Sequence, residues 1–237
     1  MAQARKDQKI VIIGDGEFGH IAYEYFTYDS PYEVAGFSAE RAYLKETEHY
    51  SLPVVPFEEV EKFFPPSKFK AFVAVTHTQL NKLRTRLYAE AKKKGYTLVS
   101  FVSPRAFVWR DVEMGDNCFI FENNVLQYQA KVGNNVIMWS GNILAHHARI
   151  ANNCYVSSHV VISGFCEIGE YCFLGVNSSI RDYVKIADNC VIGAGAVILQ
   201  NTEPDKVYSG NPAKAVGRSS LLPSQVSYIP GFQPKKA

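Results

Sequence analysis

The sequence predicts an α/β + β architecture, a small parallel α/β domain followed by a parallel β-helix. Three observations carry this. Short apolar runs alternate with amphipathic stretches as far as residue 101, helix signals then vanish, and from Met114 an aliphatic residue or methionine returns at every sixth position.

In the first part Lys9 to Ile13 reads as a strand, Phe18 to Tyr28 as a helix, Glu33 to Phe37 as a strand and Phe57 to Phe63 as a short helix. Lys70 to Val75 and Tyr96 to Val102 read as two more strands. Between them, Thr78 to Lys94 reads as a helix because Leu80, Leu83, Leu87 and Ala91 share one helical face. Strands alternating with helices imply a parallel sheet with helices on its faces.

The second part is set by its repeat. The series Met114, Ile120, Leu126, Val132 continues without interruption to Ile198, fifteen members in all. Average composition would give such a run less than about once in ten thousand tries. Gly, Ala, Asn and Asp follow each apolar residue, as in GDNC, GNNV and ADNC, where tight or left-handed turns are expected. Three units make a triangular coil, and coils stack at about 4.8 Å, the spacing of paired strands. Met114 to Glu203 then makes five coils. Their open edges need cover, from the α/β domain at one end and Pro204 to Gly217 at the other.

Composition narrows the function. A chain of 237 residues with net charge +2, 47% hydrophobic and 20% charged, has the make-up of a globular protein and offers no electrostatic case for nucleic acid or membrane as partner. Apolar stretches such as Phe69 to Val75 fall short of the roughly 18 to 20 residues of a membrane span. The charged start MAQARKDQK precedes only the short run Ile10 to Ile13, which argues against a signal peptide and predicts a cytoplasmic protein. Cys118, Cys154, Cys166, Cys172 and Cys190 contain no CxxC pair, and each falls four residues after a member of the aliphatic series. They read as compact core hydrophobes, with no metal site.

The hexapeptide pattern and the terminal YSGNPAKAVG (208–217) resemble the left-handed β-helix acyltransferases. The opening KIVIIGDGEFGH narrows the resemblance to the sialic-acid O-acetyltransferase-like group, which includes N-acetyltransferases of nucleotide-linked amino sugars. It implies a Rossmann-like nucleotide-sugar-binding domain over 1–105, a left-handed β-helix over 106–217 and an extended tail over 218–237. It further implies a homotrimer with acetyl-CoA in the groove between neighbouring β-helices.

Gly14, Gly16 and Gly19 form a GxGxxG between a predicted strand and helix, where backbone amides cradle phosphate. Ser38 stands where an acidic partner for a cofactor ribose is expected, and the domain is too short for two mononucleotide halves, so a single nucleotide diphosphate fits better than a dinucleotide. The resemblance places nucleotide binding at Gly14, Gly16, Glu17 and Phe18, at Ser38 with Ala39, and at Thr76 with His77.

Acyl transfer to an amine or hydroxyl needs a base and an oxyanion donor, and histidine suits the first role. His146 and His147 take the second and third turn places after Leu144, and His159 the third after Val156. These turn side chains are expected to point outward. By resemblance His146 is the base, with His147 where the family usually has an acid. Gly164 lies one eighteen-residue coil further, beside His146; the same resemblance implies that its amide serves the thioester carbonyl and that Tyr155, Val176 and Ala194 line the acetyl-CoA groove. The function implied is N-acetylation of a nucleotide-linked amino sugar, with sugar or sialic acid O-acetylation as the alternative. Two further alternatives are a zinc hydratase and a non-catalytic nucleotide-sugar-binding protein. The zinc reading would use His146, His147 and His159, but adjacent turn side chains are expected to diverge, and His147 and His159 lie on different faces.

Overall fold

The computed structural model describes residues 6–219. In the α/β domain, strands β1 (Gln8–Ile13), β2 (Tyr32–Ala39), β3 (Glu48–His49), β4 (Leu52–Pro56) and β5 (Phe69–Val73) form a sheet ordered β3-β4-β2-β1-β5. All neighbours are parallel except the β3–β4 hairpin. Helices α1 (Glu17–Asp29), α2 (Val60–Phe63) and α3 (Lys82–Lys93) pack on it. Ile10, Ile12, Phe26 and Phe72 are sealed on one side of the sheet, and Val11, Val73 and Ala91 on the other.

Two elements differ from the sequence reading. Helix α3 begins at Lys82 rather than Thr78, because Gln79, Leu80 and Asn81 adopt left-handed φ of 53°, 52° and 63°. That turn sends the Asn81 amide onto the Asn153 carbonyl at 2.6 Å, so docking on the β-helix overrides helix propensity. The strand expected over 96–102 divides between sheets. Leu98 bridges Ala71 in parallel, whereas Phe101–Val102 pairs with Phe119–Ile120 of the β-helix.

The β-helix has three parallel faces of two-residue strands. In each two-residue strand from Glu113–Met114 to Val197–Ile198 the second residue belongs to the aliphatic series and points inward; Leu126, Leu144, Ile162 and Ile192 are wholly buried. The residue that takes a left-handed backbone is the third after each series member, where the places from Asn117 to Asn189 show φ of 53° to 64°, and 79° at Gly141. The first place requires smallness instead: a Cβ on Gly133 would lie 2.8 Å from the Ala151 carbonyl carbon of the next coil. All five cysteines are buried and free. Burial pushes the thiols of Cys118 and Cys190 up to about 11, as their packing role predicts.

The faces differ outside. One, the apolar face, presents Phe107, Val125, Ile143, Val161, Ser179 and Val197. The charged face presents Glu113, Lys131, Arg149, Glu167 and Lys185, with ion pairs Lys131–Glu113 at 2.7 Å and Lys185–Glu167 at 3.2 Å. The third, the covered face, turns Phe119, Ile137 and Tyr155 into the α/β domain core. The α/β domain therefore lies along a side of the β-helix, and does not cap its end as expected. At the other end strands Lys206–Gly210 and Ala213–Ser219 form a hairpin that extends the covered face. Arg218 and Ser219 belong to this hairpin; the rest of the expected tail lies outside the described residues.

One buried cation pins the two parts together. Arg84 is wholly buried, donating to the Asn135 Oδ1 at 2.7 Å, the Asn117 carbonyl at 2.7 Å, the Val75 carbonyl at 3.1 Å and the Val73 carbonyl. Asn117, Asn135 and Asn153 continue the network as a side-chain ladder along one corner, with steps of 2.7 and 2.9 Å. Among the described residues no helix is long and apolar enough to cross a membrane.

Candidate active site

His146 and His147 sit at the corner between the apolar and charged faces, which the sheet order places opposite the covered face. The His146 backbone N–H donates to Gln127 Oε1 at 3.1 Å, fixing the turn. The two rings do not diverge: their Nδ1 atoms approach to 3.2 Å, a hydrogen bond in which one ring donates and the other accepts. His147 takes the left-handed turn place, and its ring stacks on Phe165 at 4.6 Å. Phe165 stacks in turn on Tyr183 at 4.8 Å, and Tyr128 meets His147 edge-on at 5.5 Å. The His147 ring is thus held by aromatic neighbours, and His146 is held through it while remaining exposed.

Gly164 lies beside His146 as the eighteen-residue column requires. A Cβ at this place would fall 2.7 Å from His146 Cε1, so only glycine leaves the imidazole its position. Its N–H, however, is not free: it donates to Asp182 Oδ1 at 2.9 Å, from the next coil of the same column. Equivalent bonds, such as Asn134 N–H to Asn152 Oδ1, recur at the neighbouring corner, so this is a general device of the turns. Sequence reasoning missed Asp182, although one more step of eighteen from Gly164 reaches it.

The expected acetyl-CoA residues separate. Val176 (43% exposed) and Ala194 lie on the open corner between the covered and apolar faces. Tyr155 lies under the α/β domain instead, 7% exposed, stacked on Phe173 at 5.3 Å. Burial pushes its phenol up to about 12. Tyr155 was placed in the groove by resemblance alone, and its outward strand position is on the face that the α/β domain covers.

A cavity of about 560 Å³ opens at the carboxyl ends of β1, β2 and β5, the crevice where open α/β sheets take ligands. Gly14, Gly16, Glu17, Phe18, Ser38, Ala39 and Thr76 line it, as the sequence reading places them. Gly14 has φ of 119°, a conformation that favours glycine, and its N–H bonds the Ser38 carbonyl at 2.7 Å. His77 does not line the cavity. Its ring turns to the β-helix, 4.8 Å from Tyr155 and 5.2 Å from Phe173, and burial holds it below its ordinary titration range. Tyr43 and Glu40 also line the cavity and were not foreseen, since neither belongs to a motif. A broader groove of about 780 Å³ follows the charged face, away from both sites, and its Lys and Glu rim reads as solvated surface.

His159 lies at another corner, packed over Gly141, so the three turn histidines do not converge within one chain. No group of three or more His, Cys, Asp or Glu among the described residues is placed to hold a metal.

With this geometry in view, comparison with known proteins is informative. Residues 165–200 match the family described as bacterial transferase hexapeptide (six repeats). No curated protein matches the sequence. Among solved structures, a histidine-to-asparagine mutant of perosamine N-acetyltransferase from Caulobacter crescentus, in complex with CoA and GDP-perosamine, superposes with a TM-score of 0.79 at 23% identity, over 92% of this chain and 100% of its own. The acetyltransferase domain of PglB from Neisseria gonorrhoeae gives 0.77 at 24% identity, over 89% and 100%. WeeI from Acinetobacter baumannii gives 0.76 at 18%, over 88% and 100%. What these likenesses establish is the fold, so the chain is a Rossmann-like parallel α/β domain followed by a left-handed parallel β-helix.

Proposed function

We propose that the chain is an acetyl-CoA-dependent N-acetyltransferase acting on the amino group of a nucleotide-linked dideoxy amino sugar. It would work in the cytoplasm, in bacterial-type surface-glycan biosynthesis. The observation that carries the reading is the exposed His146, tied through Nδ1 to His147 and pressed against Gly164, in a chain whose separate cavity has the size and backbone of a nucleotide site. Solved proteins of the same fold that bind CoA and GDP-perosamine support it.

In this reading the cavity holds the nucleotide and the amine is presented to His146. His146 Nε2 takes the amine proton as the nitrogen attacks the thioester carbonyl carbon. The C–N bond forms, the tetrahedral intermediate collapses, the C–S bond breaks, and the proton passes from His146 to the departing CoA sulfur. His147 accepts from His146 Nδ1–H, supplying the orientation that an acid gives in the resembling family. Gly164 N–H would serve the oxyanion once Asp182 releases it. Among the described residues no serine or cysteine sits in an evident nucleophile–base arrangement, which favours direct transfer.

The topology favours a homotrimer. The cavity belongs to the domain on the covered face, whereas His146 lies on the opposite corner, so a chain does not present substrate to its own base. The apolar face lies between the His146 corner and the Val176–Ala194 corner. Packing that face between copies would bring one chain's His146 to the next chain's Val176 and cavity, with acetyl-CoA in the groove between.

A thiol-release assay with acetyl-CoA against UDP-, GDP- and dTDP-linked amino sugars tests the proposal. Turnover with an amino sugar, lost in His146→Ala, is expected. Turnover only with a hydroxyl acceptor would replace N- by O-acetylation, and no thiol release with any acceptor would sink the transferase reading.

A further inference from the structure

We propose that His146 and His147 together form an exchangeable, inhibitory site for a divalent metal of the zinc or copper type, chelated through their two Nδ1 atoms. The approach of these atoms carries the assignment. They stand 3.2 Å apart, with the two rings nearly perpendicular at 86°. Two imidazole ligands of a tetrahedral zinc, at Zn–N distances of about 2.0 to 2.1 Å, have their nitrogens about 3.3 Å apart. The donors are thus already at chelating separation, and a metal ion can take the place of the bridging proton.

Both rings are held before any ion arrives. His147 has a left-handed backbone, with φ of 60°, and its ring is stacked on Phe165 with 16° between the planes while Tyr128 closes on it edge-on. The Gln127 side chain fixes the His146 backbone, and the missing side chain of Gly164 leaves the His146 ring its room. His146 remains exposed, so a hydrated ion reaches the pair without opening the fold. Neutral imidazole suits zinc, copper and nickel, whereas magnesium and calcium take oxygen ligands. Two protein ligands leave the other positions to water. Among the described residues no third His, Cys, Asp or Glu joins them in a metal-holding group, so the ion exchanges and is not a resident cofactor.

The inhibition rests on the reading of His146 as the base. Chelation uses the Nδ1 lone pairs of both rings, so the His146 proton moves from Nδ1 to Nε2 and the neutral pair loses no proton. His146 Nε2 then carries a hydrogen and cannot accept one from the amine. Filling the site therefore locks the base in its inactive tautomer.

Calorimetric titration of the untagged full chain with zinc tests the site. One ion per chain with a micromolar Kd is expected, and His146→Ala and His147→Phe should each bind at least about tenfold more weakly, since each removes one arm of the chelate. Magnesium should not compete. Paramagnetic resonance of the copper(II) form should show splitting from two imidazole nitrogens in the parent protein and from one in His147→Phe. Acetyl-CoA consumption, followed by chromatography, should fall as zinc fills the site and return with EDTA. No stoichiometric zinc binding, unchanged affinity in both variants, or a copper spectrum of the parent without two-nitrogen splitting overturns the site. Full turnover at saturating zinc overturns the inhibition. A protein that consumes no acetyl-CoA even in EDTA overturns the transferase reading and the inhibition with it, while calorimetry and the copper spectrum still decide the site.

Discussion

The Nδ1 atoms of His146 and His147 lie 3.2 Å apart, so one imidazole sets the tautomer and orientation of the other. His146→Ala is expected to lower kcat by about 10²- to 10⁴-fold. His147→Ala should cost less than that, and His147→Glu should recover part of the loss by restoring an acceptor. Steady-state thiol release reads all three. Full activity in His147→Ala would refute the orienting role.

Gly164→Ala drives a methyl group into the His146 ring and is expected to cost about 10²-fold or more in kcat, with the folded content unchanged by circular dichroism. Asp182→Ala frees the Gly164 N–H and should not lower kcat. A large loss in Asp182→Ala would show that the carboxylate is needed during the reaction.

If the apolar face packs between copies as proposed, charges placed on it should dissociate the homotrimer. Ile143→Lys with Val161→Lys is expected to sediment as a monomer without activity, whereas Lys131→Ala on the charged face should keep both assembly and activity. A shared site also predicts complementation. Mixing inactive His146→Ala subunits with subunits whose cavity is filled by Thr76→Trp should restore part of the activity. A mixture with no activity above that of its components contradicts a site shared between chains.

Burial depresses the titration of His77, so the folded protein keeps this ring neutral where the unfolded chain already binds a proton. Stability should therefore fall as pH drops below the ordinary histidine value of 6.5, and the loss should be complete once pH passes below the depressed folded value. His77→Phe keeps a ring packed against Tyr155 and Phe173 and should flatten the Tm profile across that window. An identical profile in the variant would locate the acid sensitivity elsewhere.

Arg84→Met leaves the carbonyls of Val73, Val75 and Asn117 and the amide of Asn135 short of a buried donor, and should destabilise the protein by at least about 3 kcal/mol in urea unfolding. Arg84→Lys should not rescue it, because a point charge cannot replace the guanidinium fork. A loss below about 1 kcal/mol would mean that water replaces these bonds.

Much of the fold was legible because its two periods are physically distinct. The six-residue repeat fixed every inward position from Met114 to Ile198, and with them the buried cysteines. Local propensity failed where one part docks on the other. Thr78 to Asn81 reads as helix in isolation but yields to Asn153, and Tyr155, assigned to a groove by resemblance, lies under a neighbouring domain. At the candidate site, column arithmetic placed Gly164 against His146. It did not show that the two adjacent histidines turn toward one another, because ring orientation depends on the Phe165 and Tyr183 stack. His77 was assigned to the cavity by its place after β5, yet the left-handed turn that follows directs it to the other side of the seam.

The Arg84 network has a consequence for substrate choice. A guanidinium held at several points between β5, α3 and the asparagine ladder stiffens the seam, so in the proposed homotrimer the distance from the glycine loop to a neighbouring copy's His146 would be set by the scaffold. That proposed assembly would behave as a caliper with stiff jaws. An acceptor must be long enough to grip one jaw by its nucleotide while its amine touches the other, and a free amino sugar, however well it matched the reactive end, would be too short to be gauged.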